Sequence, residues 1–260
     1  MTNTDTAPIP RLRIAVLLWS AGTLGAVTVG IGVLPELADT MPLPAPLWLI
    51  TLASILQSAL LMALAVWIGT ALAPAVGLRA PAFEAAAARR PIMPGLEPQI
   101  LPGLIAGVVG GLLLFVSFRL SPAAIASLPD RFSIPLYARM LYGGITEEVL
   151  LRWGMMAAFV WLAWRFFQGR RGAVNPGLIW LAIAVSALLF GLGHLPVASY
   201  LLGSLNAALV LFVVGLNATF GVLFGWLFWR WGLESAMIAH AVTHLVSYAA
   251  TQWLGGMGAA

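Results

Sequence analysis

The chain of 260 residues contains no cysteine, so it has neither a disulfide nor a thiolate that could act as nucleophile or metal ligand. Charge is also scarce, because only 8% of the residues are charged, against about a quarter in soluble domains. Hydrophobic residues make up 61% of the chain. This composition excludes an ordinary soluble domain and predicts an integral membrane protein.

Lysine is missing as well, so all 13 basic residues are arginines, and the formal net charge is +4. An excess of basic residues can indicate nucleic-acid binding. Here, however, the arginines lie in polar connections and at the ends of apolar segments, where they control membrane topology. We therefore expect the lipid bilayer as a partner and no nucleic acid.

Apolar segments recur at the length of about 20 residues that a helix needs to cross a bilayer. They predict an all-α, polytopic transmembrane helical bundle, which forms a single integral membrane domain over residues 1–260 with a polar N-terminal tail at 1–12. The clear spans are 14–34, 47–73, 100–118, 136–166, 177–193 and 233–254. Residues 195–231 fit either one passage or two short passages broken near Gly215 and Asn217, which gives seven or eight spans.

The distribution of arginines predicts the orientation of the chain. With a cytoplasmic N-terminus, the cytoplasmic side of the first five spans would collect Arg11, Arg13, Arg79, Arg89, Arg90, Arg165, Arg170 and Arg171. The opposite side would hold only Arg119, Arg131 and Arg139. The positive-inside rule therefore favours a cytoplasmic N-terminus. The richness in arginine and alanine suggests a bacterium, so the predicted location is its plasma (inner) membrane.

Two glutamates and an arginine lie within the fourth predicted span, in the stretch GGITEEVLLRWG. Charged groups at membrane depth are costly, so they are functional candidates. Four residues separate Glu148 from Arg152, and this spacing predicts an ion pair along one helix face. Glu147 lies about 100° around the helix from Glu148 and faces Gly143 and Gly144. An unpaired carboxylate in such a site can serve as a general base.

All three histidines of the chain lie in or beside apolar helices. His194 ends the fifth span, one turn after Phe190, where it can orient a water molecule beside a carboxylate. His240 and His244 share a face of the last span, and two side chains so placed can donate hydrogen bonds to an oxyanion. The same spacing suits two metal ligands, so zinc bound by His194, His240 and His244 stays an alternative to a cofactor-free site.

Three motifs in this order resemble the CPBP family (CAAX proteases and bacteriocin-processing enzymes, formerly Abi), which includes the type II CAAX prenyl endopeptidases. They are Glu147-Glu148-x-x-x-Arg152, Phe190-x-x-x-His194 and His240-x-x-x-His244. The resemblance covers about residues 142–248 and places the catalytic core at 136–254. His244 departs from the family pattern, which usually has Asn or Asp at this position.

This resemblance implies an intramembrane glutamic endopeptidase that hydrolyses a peptide bond in a membrane-associated or exported peptide or protein. Glu147 and His194 would activate the attacking water, and His240 with His244 would stabilise the oxyanion. Glu148, Arg152 and Phe190 would shape the site. The alternatives are a zinc-dependent protease and a non-catalytic membrane scaffold or transporter-like protein. The oligomeric state stays open.

The depths of the motifs bear on the number of spans. Glu147 lies about 16 Å into its span, and His240 about 10 Å into the last span, at 1.5 Å per residue. His194 ends the fifth span on the side where the fourth begins. If these groups meet, the last span should begin on that side too, which favours eight spans and a site that opens toward the outer half of the membrane.

Overall fold

The computed structural model of the chain describes residues 10–40, 43–126 and 134–255. Within these ranges the regular elements are all helical, as the composition predicted. The long helices are α1 (Arg11–Gly32), α3 (Leu47–Leu72), α5 (Met93–Arg119), α8 (Ala157–Phe167), α9 (Pro176–Gly193), α11 (Ala207–Arg230) and α12 (Leu233–Gly255). The short ones are α2 (Leu34–Thr40), α4 (Pro81–Ala87), α6 (Ala123–Ala126), α7 (Leu136–Ala138), α10 (Leu195–Leu202) and a 3₁₀ turn (Ala73–Val76).

Six helices in the described ranges are long and apolar enough, by length and composition, to cross a membrane. They are Arg11–Ala38, Leu47–Val76, Met93–Arg119, Leu136–Phe167, Pro176–Leu202 and Ala207–Arg230. Helix α12 has 23 residues but is not among the six. Its polar residues, which include both histidines of the third motif, lower its hydropathy. The protein is thus a multi-pass membrane protein, whereas the count of seven or eight spans is not confirmed.

The interpretation with two short passages between His194 and Leu233 is wrong. Residues 207–230 form the single helix α11, and Gly215 and Asn217 lie inside it without a break. Asn217 satisfies its side chain within the helix, since its Nδ2 donates to the carbonyl of Val213 at 2.8 Å. Glycine and asparagine therefore do not interrupt this helix. The argument for eight spans thus loses the two short passages that it required.

The polar tail predicted at 1–12 lies mostly outside the described residues, which begin at residue 10, and helix α1 begins at Arg11. Arg131, which was used to predict the orientation, also lies outside them.

The span that carries the two glutamates is π-helical over Arg139–Glu147 and again over Val149–Met156, with Glu148 between the two segments. A π-helix has i→i+5 hydrogen bonds, and such turns are frequent at functional sites. It winds more widely than an α-helix, so adjacent residues are separated by less than 100°. Glu147 and Glu148 are therefore closer in direction than the geometry of an ordinary α-helix predicts.

Helix α12 packs along α5 at very short range because α5 presents glycines to it. A Cβ on Gly103, Gly107 or Gly111 would lie within 3 Å of a side chain of α12. At Gly107, for example, it would lie 2.5 Å from the Cβ of Val242. Small residues at helix interfaces allow this approach in membrane proteins. The contact fixes the position of the helix that carries His240 and His244.

The π-helical span is enclosed by α1 and α3 on one side and by α9 and α11 on the other. Trp153 is buried between them, at 6.3 Å from the ring of Phe228 on α11. On the α1 side, the hydroxyl of Thr146 donates to the carbonyl of Gly22 at 2.6 Å. The first two long helices, whose sequence carries none of the motifs, therefore hold the motif-bearing helix in place.

The start of α12 is buried against the segment that leads into α4. The amide of Leu233 donates to the carbonyl of Arg79 at 3.0 Å, and Leu233 is fully buried. Glu234 accepts from the amides of Ala82 and Phe83 at 2.8 and 2.9 Å, so it caps the neighbouring α4. Helix α12, which carries His240, is therefore anchored at its start by residues that precede and begin α4.

Candidate active site

Glu148 is the residue around which the polar groups of the bundle are arranged. Its Oε2 lies 3.2 Å from Nε of Arg152, so the predicted ion pair is present. Its Oε1 lies 2.7 Å from Nδ1 of His240, a contact that the sequence did not predict. The side chain of Glu148 is completely buried. Glu148 thus links the first motif to the third.

Arg152 is enclosed by aromatic rings rather than by water. Its guanidinium carbon lies 5.2 Å from the centroid of Phe190 and 5.5 Å from that of Phe224. One terminal nitrogen donates to the carbonyl of Gly221 at 3.3 Å. Cation–π contacts are strongest where the cation is desolvated. Phe190 therefore stabilises the buried arginine, which gives the aromatic residue of the second motif a physical role.

The two histidines of the third motif form a stack on α12. The ring of His240 lies between the rings of Phe224 and His244. The distance between ring centroids is 4.5 Å to Phe224 and 5.1 Å to His244, and the interplanar angles are 24° and 27°. Phe190 approaches the edge of His240 at 6.5 Å. This packing and the contact with Glu148 together fix the orientation of the His240 imidazole.

Gly143 lies opposite the two stacked rings. A Cβ at this position would lie 2.9 Å from Nε2 of His240 and 3.0 Å from Nε2 of His244. Both Nε2 atoms therefore lie close to the Cα of Gly143, which has no side chain to keep them away. Two neighbouring imidazole nitrogens can stabilise one oxyanion when both carry hydrogens.

Glu147 reaches the same place from the motif-bearing helix. Its Oε2 lies 3.8 Å from Nε2 of His240, which is longer than a hydrogen bond, and its side chain is 17% exposed. Glu148, in contrast, has no exposed surface. Of the two glutamates, only Glu147 is thus open to a water molecule or a substrate, in agreement with the division that the sequence predicted.

His194 ends α9 beside this group. Its Nδ1 donates to the carbonyl of Phe190 at 2.9 Å, so the neutral ring carries its hydrogen on Nδ1 and leaves Nε2 as an acceptor. Its ring packs edge-on against Phe190 at 4.7 Å, and Phe190 in turn contacts His240. Phe190 thus joins His194 to the other site residues.

The residues do not fit the zinc site that the sequence left open. Structural and catalytic zinc sites take at least three protein ligands. In the ranges 10–40, 43–126 and 134–255, no group of three or more His, Asp or Glu side chains is arranged to hold a metal ion.

Helix α11 contributes to the site although the sequence analysis assigned it no part. Phe224 stacks on His240, and the carbonyl of Gly221 accepts from Arg152. The spacing Gly221-x-x-x-Gly225 was the available signal, because it marks a face of close packing. That face packs on α9, since a Cβ on Gly221 would lie 2.7 Å from Ala187.

Residues 129–246, a little under half of the chain, match the family model described as Type II CAAX prenyl endopeptidase Rce1-like. The matched range contains all three motifs and every residue of the site described above. The resemblance inferred from the motifs is therefore confirmed over this range. No curated protein and no solved structure matches the chain.

Proposed function

Because residues 129–246 match the Rce1-like model, we propose that the protein is an intramembrane endopeptidase in which Glu147 activates water for attack on a peptide bond. One observation carries this proposal. The partly exposed carboxylate of Glu147 and the Nε2 atoms of His240 and His244 lie close together beside Gly143. A base beside a pair of oxyanion donors is the minimum set for hydrolysis of an amide.

The balance of charge favours one added proton on His240, beside Glu147. Two carboxylates and one arginine leave an excess negative charge in a buried site, and buried charges must be compensated. One added proton on His240 restores neutrality. Because Nδ1 of His240 already donates to Glu148, this proton is held at Nε2, 3.8 Å from Glu147. Nε2 can then donate to an oxyanion while Glu147 stays ionised as a base.

The reaction proceeds in two steps. Glu147 accepts one hydrogen of the water as a proton, and Nε2 of His194 accepts a hydrogen bond from the other. The water oxygen bonds to the carbonyl carbon, and the carbonyl electrons move to its oxygen, which accepts from Nε2 of His240 and of His244. The C–N bond then breaks, and Glu147 returns its proton to the leaving amine. No metal takes part in this scheme.

A comparison of two variants tests the proposal. We expect membranes of cells that express the full chain to contain new protein termini that are absent with Glu147→Gln, because removal of a general base lowers the rate by roughly 10²–10⁴. Glu97→Gln, an exposed glutamate on α5, is the matched control and should behave like the original chain. Quantitative mapping of protein termini gives the readout and also identifies the substrate class. If the Glu147→Gln variant produced the same protein termini as the original chain, the proposal would be overturned in favour of a non-catalytic role.

We further propose that α12 is a seventh crossing and that the N-terminus is cytoplasmic in a bacterial plasma membrane. Helix α12 is about 35 Å long at 1.5 Å per residue, enough to span the hydrocarbon. The lack of cysteine permits a direct test with single substitutions, Thr6→Cys and Ala259→Cys. A membrane-impermeant thiol reagent applied to intact cells should label position 259 alone. Labelling of both positions or of position 6 alone would contradict this topology.

A further inference from the structure

Helices α8 and α9 form an apolar groove of about 340 Å³ between them, away from the motif residues. Its walls include Phe159, Leu162 and Phe166 of α8 and Leu181 and Val185 of α9, and all its lining side chains are apolar. The volume lies in the range of roughly 300–1,000 Å³ of ligand pockets. A groove without a hydrogen-bonding group suits a hydrocarbon chain.

The connection between the same two helices, residues 168–175, places two arginines at the end of the groove. Arg170 and Arg171 are both exposed, and no Asp or Glu occurs in the sequence between Glu148 and Glu234. Among the residues that the structure describes, neither arginine forms an ion pair. Two uncompensated guanidinium groups at the end of an apolar groove attract an anion, and arginine suits phosphate in particular.

The connection holds these arginines in an ordered loop. The side-chain Nε2 of Gln168 donates to the backbone carbonyls of Arg171 and Ala173 at 2.7 Å each. Its Oε1 accepts from the backbone N–H of Asn175 at 2.9 Å. Trp164 donates to the carbonyl of Gly172 at 3.2 Å, and the guanidinium of Arg170 lies 5.7 Å from its ring. These hydrogen bonds fix the backbone of the loop that carries both arginines directly after α8.

Tryptophans mark this end of α8, α9 and α11 as the level of the lipid headgroups. Trp164 lies near the end of α8, and Trp180 of α9 contacts Trp229 of α11 edge-on at 5.9 Å. Tryptophan is enriched where the hydrocarbon meets the headgroups. The arginine loop thus lies at headgroup level, and the groove runs from there into the hydrocarbon.

We propose that α8, α9 and their connection bind one anionic phospholipid, with its phosphate at Arg170 and Arg171 and an acyl chain in the groove. Basic pockets at the cytoplasmic ends of transmembrane helices recognise anionic headgroups in this way. The site is separate from the residues of the proposed protease chemistry, so failure of one proposal would not contradict the other.

Native mass spectrometry of the full chain in detergent tests the site, with titration by phosphatidylglycerol or by phosphatidylcholine of the same acyl chains. We expect one phosphatidylglycerol to bind more tightly than phosphatidylcholine. The double variant Arg170→Gln/Arg171→Gln should weaken phosphatidylglycerol binding about 30-fold, at about fivefold per arginine. Val185→Phe, which fills the groove, should weaken it roughly tenfold by displacing about two methylenes of the acyl chain.

Two control variants separate the site from general effects. Arg11→Gln/Arg13→Gln removes two exposed arginines from the start of α1, and Val222→Phe enlarges an exposed side chain on α11 outside the groove. Neither should change the affinity for phosphatidylglycerol. Equal loss in Arg11→Gln/Arg13→Gln would overturn the proposal, because net charge would then explain the binding. Equal affinity for the two lipids, or unchanged binding in Val185→Phe, would overturn it as well.

Discussion

Nδ1 of His240 lies 2.7 Å from Oε1 of Glu148, while the other oxygen of this carboxylate lies 3.2 Å from Arg152. One buried side chain thus ties together two motifs that are 92 residues apart in the sequence. Since an ionised carboxylate only accepts, Nδ1 of His240 carries a hydrogen, and Nε2 is the nitrogen that faces Gly143. Glu148 is therefore a positioning residue for His240, in addition to its predicted role in binding Arg152.

The buried pair predicts non-additive effects on stability. Arg152→Met leaves Glu148 as an uncompensated buried charge, and loss of one partner of such a pair costs about 3–5 kcal/mol. The double variant Glu148→Gln/Arg152→Met removes both charges and should recover most of this loss. Thermal unfolding of the purified variants measures both effects. A double variant no more stable than Arg152→Met alone would contradict the pairing.

Gly143→Ala should lower the proposed cleavage activity without unfolding the protein. The added methyl group would lie 2.9–3.0 Å from the Nε2 atoms of His240 and His244, so both rings must shift from the positions in which they are proposed to bind the oxyanion. Loss of an oxyanion contact lowers kcat by about 10²–10³. Gly193→Ala on α9 is the control, because a Cβ there meets nothing within 4 Å. Cleavage of a Glu147-dependent substrate and the melting temperature should be measured together; full activity of Gly143→Ala would contradict the proposed role of these two nitrogens.

His244 departs from the usual Asn or Asp of the CPBP pattern, and its variants test its role as a donor. His244→Asn should keep activity within about tenfold, because an asparagine amide also donates a hydrogen bond. His244→Leu should lose about 10²–10³ in kcat, the effect of removing one oxyanion donor. Kinetics with a Glu147-dependent substrate separate the two. If both variants lost activity equally, packing against His240 would be the role of His244.

Chelators should leave the activity unchanged, because the described His, Asp and Glu side chains form no three-ligand metal site. Elemental analysis of the purified full chain should find no stoichiometric zinc, and 1,10-phenanthroline should not inhibit cleavage. Restoration of activity by zinc after chelation would contradict the metal-free scheme and return His194, His240 and His244 to the role of ligands.

The packing of α12 on α5 predicts a steric effect outside the motifs. In Gly107→Ala the new Cβ would lie 2.5 Å from the Cβ of Val242 and 2.9 Å from the carbonyl of Ala239, so the two helices must separate. Overpacking of this kind costs about 1–3 kcal/mol. Gly215→Ala, with nothing within 4 Å of its Cβ, is the control and should not lower the melting temperature. Equal stability of the two variants would show that α5 and α12 do not pack as described.

Much of the candidate site was predictable because charged and imidazole groups are costly in a bilayer and therefore few. Glu147, Glu148, Arg152 and the three histidines stood out by composition alone. Helical spacing correctly paired Glu148 with Arg152. It did not predict the contact of Glu148 with His240, because no pattern within one helix specifies which side chain of another helix it meets.

The number and course of the helices were less predictable. Gly215 and Asn217 suggested a break that the continuous α11 does not have, since helix neighbours and internal hydrogen bonds offset a weak local preference. The π-helical segments around Glu148 also left no signal in the sequence. They change the direction of side chains through the backbone hydrogen-bond pattern, which residue types alone do not determine.

The sequence by itself determined the membrane environment, the all-helical fold and the candidate site residues, because each follows from the cost of placing a given residue type in hydrocarbon. Only the tertiary structure decided which of these residues touch. It joined Glu148 to His240, aimed two Nε2 atoms at Gly143, and placed Phe190 and Phe224 around Arg152. These relationships depend on how closely whole helices approach, and that distance is set by small residues and packed side chains far from the motifs.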